Sequence, residues 1–260
     1  MMDKKYRDAI EKEFVDCAKN TLERVNSSLL NSNEGGNYKP FHEAILIPEA
    51  ILWSKFERSF STSFGQRLVE EVSKILAFSS GASKVERQKE THIDIDKSQA
   101  SEIEEHCQRI KEGKVKGLWT DDLESISSIK KSNISHKTRI ISDLWFEREN
   151  REYFFSIKTV KPNIDQTLEA KRDLLKLKIN NNKSHVYYGL YYNPWGEERG
   201  SYKHMPPMKV FDFFKDDVVL IGKEYWDTIG GEGAYEELLK IAAEAGQETK
   251  KIVESFSPKI

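Results

Sequence analysis

The stretch TRIISDLWFERENREYFFSIKTVKPN, residues 138–163, decides the fold of this chain. Residues 138–146 and 152–160 are rich in β-branched and aromatic side chains, which suit the pleated, half-buried surface of a sheet. The polar run between these two segments is short enough for a tight turn. The stretch therefore predicts a β-hairpin.

The segments after the hairpin predict a mixed sheet. Beyond Asn163, leucines recur among lysines as they do in a helix, and HVYYGLYYN at 185–193 has the composition of a strand. A helix between two strands allows them to lie parallel. A short apolar strand at 218–222 and helices around Trp226 and from Tyr235 complete the pattern. The expected fold class is α/β, with a mixed sheet between two layers of helices.

The first half of the chain predicts helices. Apolar residues recur at three- and four-residue steps over 6–30, which indicates a long amphipathic helix. Two more helices are expected roughly over 48–59 and 64–78, with the hydroxyl-rich SFSTS segment capping the second. The polar segment 79–131 predicts one helix, near 98–112.

Composition limits the classes of protein. The chain has 260 residues, enough for a full core, and the two cysteines, Cys17 and Cys107, lack the spacing of a zinc knuckle or a disulfide framework. There is no apolar stretch of about 18 residues, as a membrane span requires, and no signal-peptide core. We expect one cytoplasmic domain, made of a helical extension 1–40, a core 41–245 and a tail 246–260.

Charge is unevenly distributed, although the formal net charge is −2. Residues 158–183 hold seven Lys or Arg and three acids, whereas residues 212–254 hold eleven acids and five lysines. The basic segment suits a positive cleft that faces a phosphate backbone. A lysine-rich helix face in solvent has the same composition.

The hairpin holds the residues that point to chemistry. Ser156 and Lys158 share one face of the second strand, and Asp143 on the first strand can meet that face. A carboxylate such as Asp143 and a backbone carbonyl such as that of Ile157 can hold Mg²⁺, and a lysine can orient or deprotonate the attacking water in phosphodiester hydrolysis. An ordinary cross-strand ion pair has the same spacing.

Three longer segments carry a resemblance to a known family. They are SIKTVKPNIDQTLEAKRDLLKLK (156–178), YYNPWG (191–196) and LIGKEYWDTIGGEGAYEELLKI (220–241). Over about 41–245 the chain resembles type II restriction endonucleases, the TdeIII group in particular, and its hairpin is similar to the PD-(D/E)-x-K nuclease motif. The resemblance implies a restriction-endonuclease-like α/β/α core, Mg²⁺ as cofactor, a homodimer, and cleavage of double-stranded DNA at GGNCC-like sites.

Ser156 departs from the motif, in which an acid stands two residues before the lysine. A serine cannot supply a second anionic metal ligand, so another carboxylate should replace it. Glu71 flanks the apolar stripe of its predicted helix, and a glutamate from a first helix is also what the resemblance implies. Glu169, on the helix after the motif, is the alternative.

Further residues are candidates for DNA contact. Lys161, Asn163 and Gln166 follow the lysine closely and could bind phosphates, although a turn and helix cap would use the same residues. Arg199 and Lys203 lie in a basic, aromatic loop that could contact bases or could pack on its own Trp and Tyr.

The expected function is Mg²⁺-dependent, sequence-specific cleavage of duplex DNA. Two alternatives stay open. One is a repair or junction nuclease on the same fold, which would recognise the shape of DNA rather than its sequence. The other is a DNA-binding protein without cleavage, which the serine at position 156 would favour.

Overall fold

The computed structural model describes residues 2–30 and 40–255. The chain divides into a helical unit, Met1–Ile75 with Glu236–Ile260, and a sheet unit, Leu76–Tyr235. The predicted single domain, with its extension and tail, stays a prediction, and positions 1, 31–39 and 256–260 lie outside the described residues. None of the described helices has both the length and the apolar character needed to cross a bilayer.

The helical unit begins with the predicted long helix. Its described helices are α1 (Lys4–Leu30), α2 (Pro40–Ile45), α3 (Pro48–Ser63), α4 (Val69–Ser79), which continues into the sheet unit, and α10 (Ala234–Ser255). The apolar stripe of α1 is buried, as Ile10 and Leu22 show. Within this unit Arg7 of α1 forms ion pairs with Glu237, at 2.6 Å, and Glu244 of α10.

The predicted break before the second of the two middle helices is wrong. The segment SFSTS is the last part of α3, and a π-helical turn, Phe64–Leu68, joins α3 to α4. The hydroxyls of this segment do not cap a helix, because Ser61 donates to the Glu57 carboxylate and Thr62 to the Arg58 carbonyl, each one turn back in α3.

The sheet unit contains five strands in the order β1-β2-β3-β4-β5. They are β1 (Lys84–Asp96), β2 (Ser135–Arg148), β3 (Arg151–Lys158), β4 (His185–Leu190) and β5 (Val219–Ile221). β2 lies between β1 and β3 and pairs antiparallel with both, whereas β3, β4 and β5 run parallel. The mixed sheet and the α/β class are confirmed.

The predicted hairpin is β2 and β3. Its turn consists of Glu149 and Asn150, whose φ angles of 54° and 57° match the twist of the flanking strands, as in turns of the I′ type. In the fourth pair from the turn, Trp145 lies opposite Phe154, with ring centroids 6.5 Å apart. Such aromatic cross-strand pairs stabilise a hairpin.

Helices cover both faces of the sheet. The remaining helices are α5 (Lys97–Lys111), α6 (Trp119–Ser127), α7 (Ile164–Asn180), α8 (Met205–Met208), α9 (Lys223–Gly230) and a 3₁₀ turn at Arg199–Ser201. On one face, Thr167 of α7 bonds the hydroxyl of Tyr188 in β4 at 3.1 Å. On the other, Tyr225 of α9 packs against Phe155 of β3, and so close to Gly189 that a Cβ there would lie 2.6 Å from the ring. The predicted three layers are therefore present.

Candidate active site

The structure brings Asp143 of β2 and Lys158 of β3 together. The Lys158 Nζ lies 3.7 Å from Asp143 Oδ2, and each side chain is 22% exposed. The backbone N–H of Ile157 donates to the same carboxylate oxygen at 2.6 Å. A charged pair at this depth is shielded from bulk water but still open to a ligand.

The alternation of β3 explains why these groups meet. Ser156 lies beside Tyr188 in the parallel register, and Lys158 lies two residues further along the same face, beside Leu190. Lys158 is the last residue of β3, so its ammonium stands at the carboxyl end of the parallel strands. Ligands of open α/β sheets bind at this end.

Gln88 of β1 is a neighbour of the pair that the sequence does not reveal. Its side-chain Nε2 donates to Asp143 Oδ1 at 3.3 Å. Gln88 also has a φ of 51°, the left-handed region that residues other than glycine rarely adopt. A glutamine in an alternating polar strand does not predict a positive φ, so no sequence pattern indicates this contact.

Asp173 of α7 is a second residue that the sequence analysis missed. Burial raises its pKa to about 6, Lys176 and Lys158 lower it, and Glu169 and Glu104 raise it. Asp173 and Glu169 are one helical turn apart, and this spacing in the sequence indicates two acids on one face of the helix. The Lys158 ammonium therefore has carboxylates of two elements in its electrostatic surroundings.

The two candidates for the missing acid lie in different units. Glu71 belongs to the helical unit, where it pairs with Lys74 at 3.4 Å. Glu169 is exposed on α7 in the sheet unit, which also contains Asp143. Among the described residues of the sheet unit, no three His, Cys, Asp or Glu side chains form a cluster that could hold a metal ion.

Two of the candidate DNA contacts form a helix cap. Asn163 Oδ1 accepts from the Gln166 backbone N–H at 2.8 Å, and Gln166 Oε1 accepts from the Asn163 backbone N–H at 3.2 Å. This capping box begins α7, the alternative that the sequence left open. Lys161 is exposed, with its Nζ 5.4 Å from the centroid of the Trp195 ring, and Lys203 is exposed as well.

The loop after β4 packs on itself. The rings of Trp195 and Tyr202 meet edge to face at 5.2 Å. Arg199 binds both carboxylate oxygens of Glu224, with its Nη2 2.6 Å from one of them, and donates to three backbone carbonyls. The structure thus favours the self-packed interpretation for Trp195 and Arg199.

The basic segment does not form a cleft as a whole. Lys171 is fully buried, with its Nζ 2.5 Å from Asp122 Oδ2. Arg172 and Lys176 both pair with Glu104 of α5. These α7 cations are engaged within the chain because the helix packs between the sheet and α5. The cations free to face a polyanion are therefore fewer than the composition of 158–183 suggests.

The chain has a mixed sheet between two layers of helices and a carboxylate beside a lysine at the strand ends, an arrangement that suits a nuclease. Comparison with known families agrees with this class. Residues 2–246 match the model of the family described as type II restriction endonuclease, HinfI. The chain belongs to this family.

Individual relatives support the assignment. The chain is 35% identical to the type II restriction enzyme HgiCII of Herpetosiphon aurantiacus over 231 residues, 85% of this chain and 82% of that enzyme. It is 34% identical to HgiEI of the same organism over 250 residues, 93% of this chain and 86% of that enzyme. Type II restriction enzymes are site-specific deoxyribonucleases, so this chain hydrolyses phosphodiester bonds of DNA.

Proposed function

We propose that Asp143 and Lys158 form the catalytic centre of this restriction endonuclease, in a site of the PD-(D/E)-x-K type. The observation that carries the proposal is the 3.7 Å approach of Lys158 Nζ to Asp143 Oδ2 at the end of β3. The TdeIII-like grouping remains a resemblance, since the matching family is the HinfI type.

The donors around Asp143 suit a hard divalent cation. The Asp143 carboxylate and the Ile157 carbonyl are oxygen ligands, which Mg²⁺ prefers, and restriction endonucleases of type II generally use divalent metal ions. When bound, Mg²⁺ would lower the pKa of a coordinated water and stabilise charge on the phosphoryl oxygens. One carboxylate alone makes a weak magnesium site, so the proposal requires a second acid.

We assign the second acid to Glu71, with Glu169 as the alternative. Support for Glu71 comes from its position beside the apolar stripe of α4 and from the resemblance to nucleases in which a first-helix glutamate serves the site. Support for Glu169 comes from its exposure on α7, one turn from Asp173 in the electrostatic surroundings of Lys158. Ser156 is neutral and would be limited to hydrogen bonding.

Lys158 would act on the attacking water. Its ammonium is held near Asp143 and in reach of a group bound at the strand ends, so it can orient the water and the scissile phosphate. Asp143 would in turn keep the lysine in place. These roles of Lys158 and Asp143 do not require an acid at position 156.

The substrate would be duplex DNA, contacted near the site by Lys161 and Lys203. Both are exposed, and Tyr202 donates to the Val160 carbonyl at 3.0 Å, so the two loops that carry these lysines are joined. Lysines at such positions bind phosphates without reading sequence. A homodimer would present two equivalent sites to the two strands of a symmetric sequence.

Digestion of a plasmid of known sequence tests the proposed function. The purified protein and Mg²⁺ should yield discrete fragments whose ends all map to one short sequence, and EDTA should stop the reaction. Nicking without a common sequence would indicate a structure-specific nuclease. Retarded but uncut DNA would indicate a binding protein.

A further inference from the structure

β1 is irregular at the point where it passes Asp143. In the described residues, the other non-glycine positions with positive φ, which are Asn133, Glu149 and Asn150, all lie outside the strands, whereas Gln88 lies within β1. A left-handed conformation strains a glutamine, and such strain persists only where surrounding contacts impose it.

The irregularity is accompanied by unusual side-chain contacts on either side of Gln88. In a regular strand, residues three apart point to opposite faces. Across Gln88, however, Lys89 Nζ lies 2.5 Å from Glu86 Oε1 and 4.6 Å from the centroid of the Trp145 ring. The exposed and partly buried positions of β1 nevertheless keep alternating through Gln88, so the strand is distorted only locally.

Strand pairing does not require the left-handed residue. The antiparallel register continues unchanged on both sides, with Arg87 opposite Leu144 and Lys89 opposite Ser142, and omits the facing positions Gln88 and Asp143. A strand without the left-handed residue could keep the same register. In this register Gln88 faces Asp143, and its side-chain amide contacts the Asp143 carboxylate.

The two oxygens of Asp143 are thus held from opposite sides. Gln88 Nε2 of β1 donates to Oδ1 at 3.3 Å, and the Ile157 N–H of β3 donates to Oδ2 at 2.6 Å. Donors on both oxygens restrict the rotation of the carboxylate about its Cβ–Cγ bond. A carboxylate accepts about four hydrogen bonds or ligands, so positions for a cation remain.

We propose that Gln88 is a positioning residue that fixes the orientation of the Asp143 carboxylate for metal binding. The inference rests on the proposed role of Asp143. It assigns to the edge strand a contribution that neither the motif nor the family match supplies. Loss of an outer partner of a ligating carboxylate lowers metal affinity or activity by about 10- to 100-fold.

Two substitutions at Gln88 separate the amide from the backbone. Gln88→Ala removes the amide and keeps the strain, whereas Gln88→Gly removes the amide and relieves the strain, since glycine adopts positive φ readily. Glu90→Gln, two residues further along the same strand and exposed, is the matched control. Each variant is compared for Mn²⁺ affinity without DNA by electron paramagnetic resonance, Mg²⁺ concentration at half-maximal cleavage, DNA affinity in EDTA, and thermal midpoint.

Both Gln88 variants should weaken Mn²⁺ binding and raise the half-maximal Mg²⁺ concentration by about 10- to 100-fold, with unchanged DNA affinity in EDTA. The Gln88→Gly variant should show the same change in metal dependence even if its thermal midpoint equals that of the wild type. A Gln88→Gly protein with wild-type metal dependence would overturn the inference. The Asp143→Ala variant in the same series separates the positioning role of Gln88 from the catalytic role of Asp143. DNA cleavage by Asp143→Ala would contradict the proposed catalytic site itself.

Discussion

The Asp143 carboxylate accepts hydrogen bonds from N–H groups of two neighbouring strands and lies beside a lysine. The position of β3 that faces Asp143, however, is occupied by the neutral Ser156. At the scale of single residues, the proposed site therefore takes its second negative charge from another part of the chain. Glu71 and Glu169 differ in the unit to which they belong, and Glu70 is a natural control for Glu71 because it is the next residue on α4.

We predict that Glu71→Gln raises the Mg²⁺ concentration needed for cleavage and lowers the maximal rate, because a neutral amide replaces an anionic ligand. Glu70→Gln should behave like the wild type. The measurement is the rate of cleavage as a function of Mg²⁺ concentration. If Glu169→Gln alone loses activity, the acid comes from α7, and if all three variants cleave normally, neither helix supplies it.

Asp173 gives a pH-dependent prediction at the same scale. Its pKa rises from 3.8 to about 6 in the fold, chiefly by burial, so its contribution to stability is present below pH 3.8 and is lost as the pH rises through 6. Asp173→Asn should therefore stabilise the metal-free protein at pH 8, by up to about 3 kcal/mol, and have little effect near pH 4. Urea unfolding in EDTA at the two pH values measures this difference, and an equal effect at both would contradict the assignment.

At the scale of elements, a buried ion pair fixes α7 against α6. Lys171 of α7 is fully buried between Asp122 Oδ2, at 2.5 Å, and the Val210 carbonyl, at 2.6 Å. Asp122 also lies 2.7 Å from His106 Nε2 of α5. Because α7 leads from β3 to β4, this cluster helps to hold the helix that covers the catalytic face of the sheet.

Lys171→Met should cost about 3–5 kcal/mol of unfolding free energy, because it leaves Asp122 buried with its main charge partner removed. Lys176→Met, on the same helix but paired with the exposed Glu104, should cost less than about 1 kcal/mol. Urea unfolding at pH 7 compares the two variants. Equal, small losses would show that the buried pair does not hold the helix.

The sequence predicted the elements whose patterns are local. The hairpin, α7, β4 and the pairing of Asp143 with Lys158 follow from alternation, turn composition and helical spacing, and the structure confirms them. The predicted break before α4 is wrong because the hydroxyls of Ser61 and Thr62, which resemble helix caps in the sequence, bond back into α3 instead. Gln88 and the burial of Lys171 depend on partners distant in the chain, which no single-sequence pattern encodes.

At the scale of the whole molecule, the fold brings together Gln88 of β1, Asp143 of β2 and Lys158 at the end of β3, which belong to three different strands. Family membership establishes the reaction, and the geometry proposes where on the chain the reaction occurs. The catalytic proposal for Asp143 and Lys158 is therefore the central claim. It applies to the protein independently of which glutamate completes the site.

Single-turnover cleavage of a duplex that carries the mapped sequence tests this claim most directly. Asp143→Ala and Lys158→Ala should each lower the rate by about 10²- to 10⁴-fold, while circular dichroism and DNA retention in EDTA match the wild type. Lys161→Ala should weaken binding far more than it slows the bound complex. Cleavage at a near wild-type rate by either the Asp143 or the Lys158 variant would contradict the account.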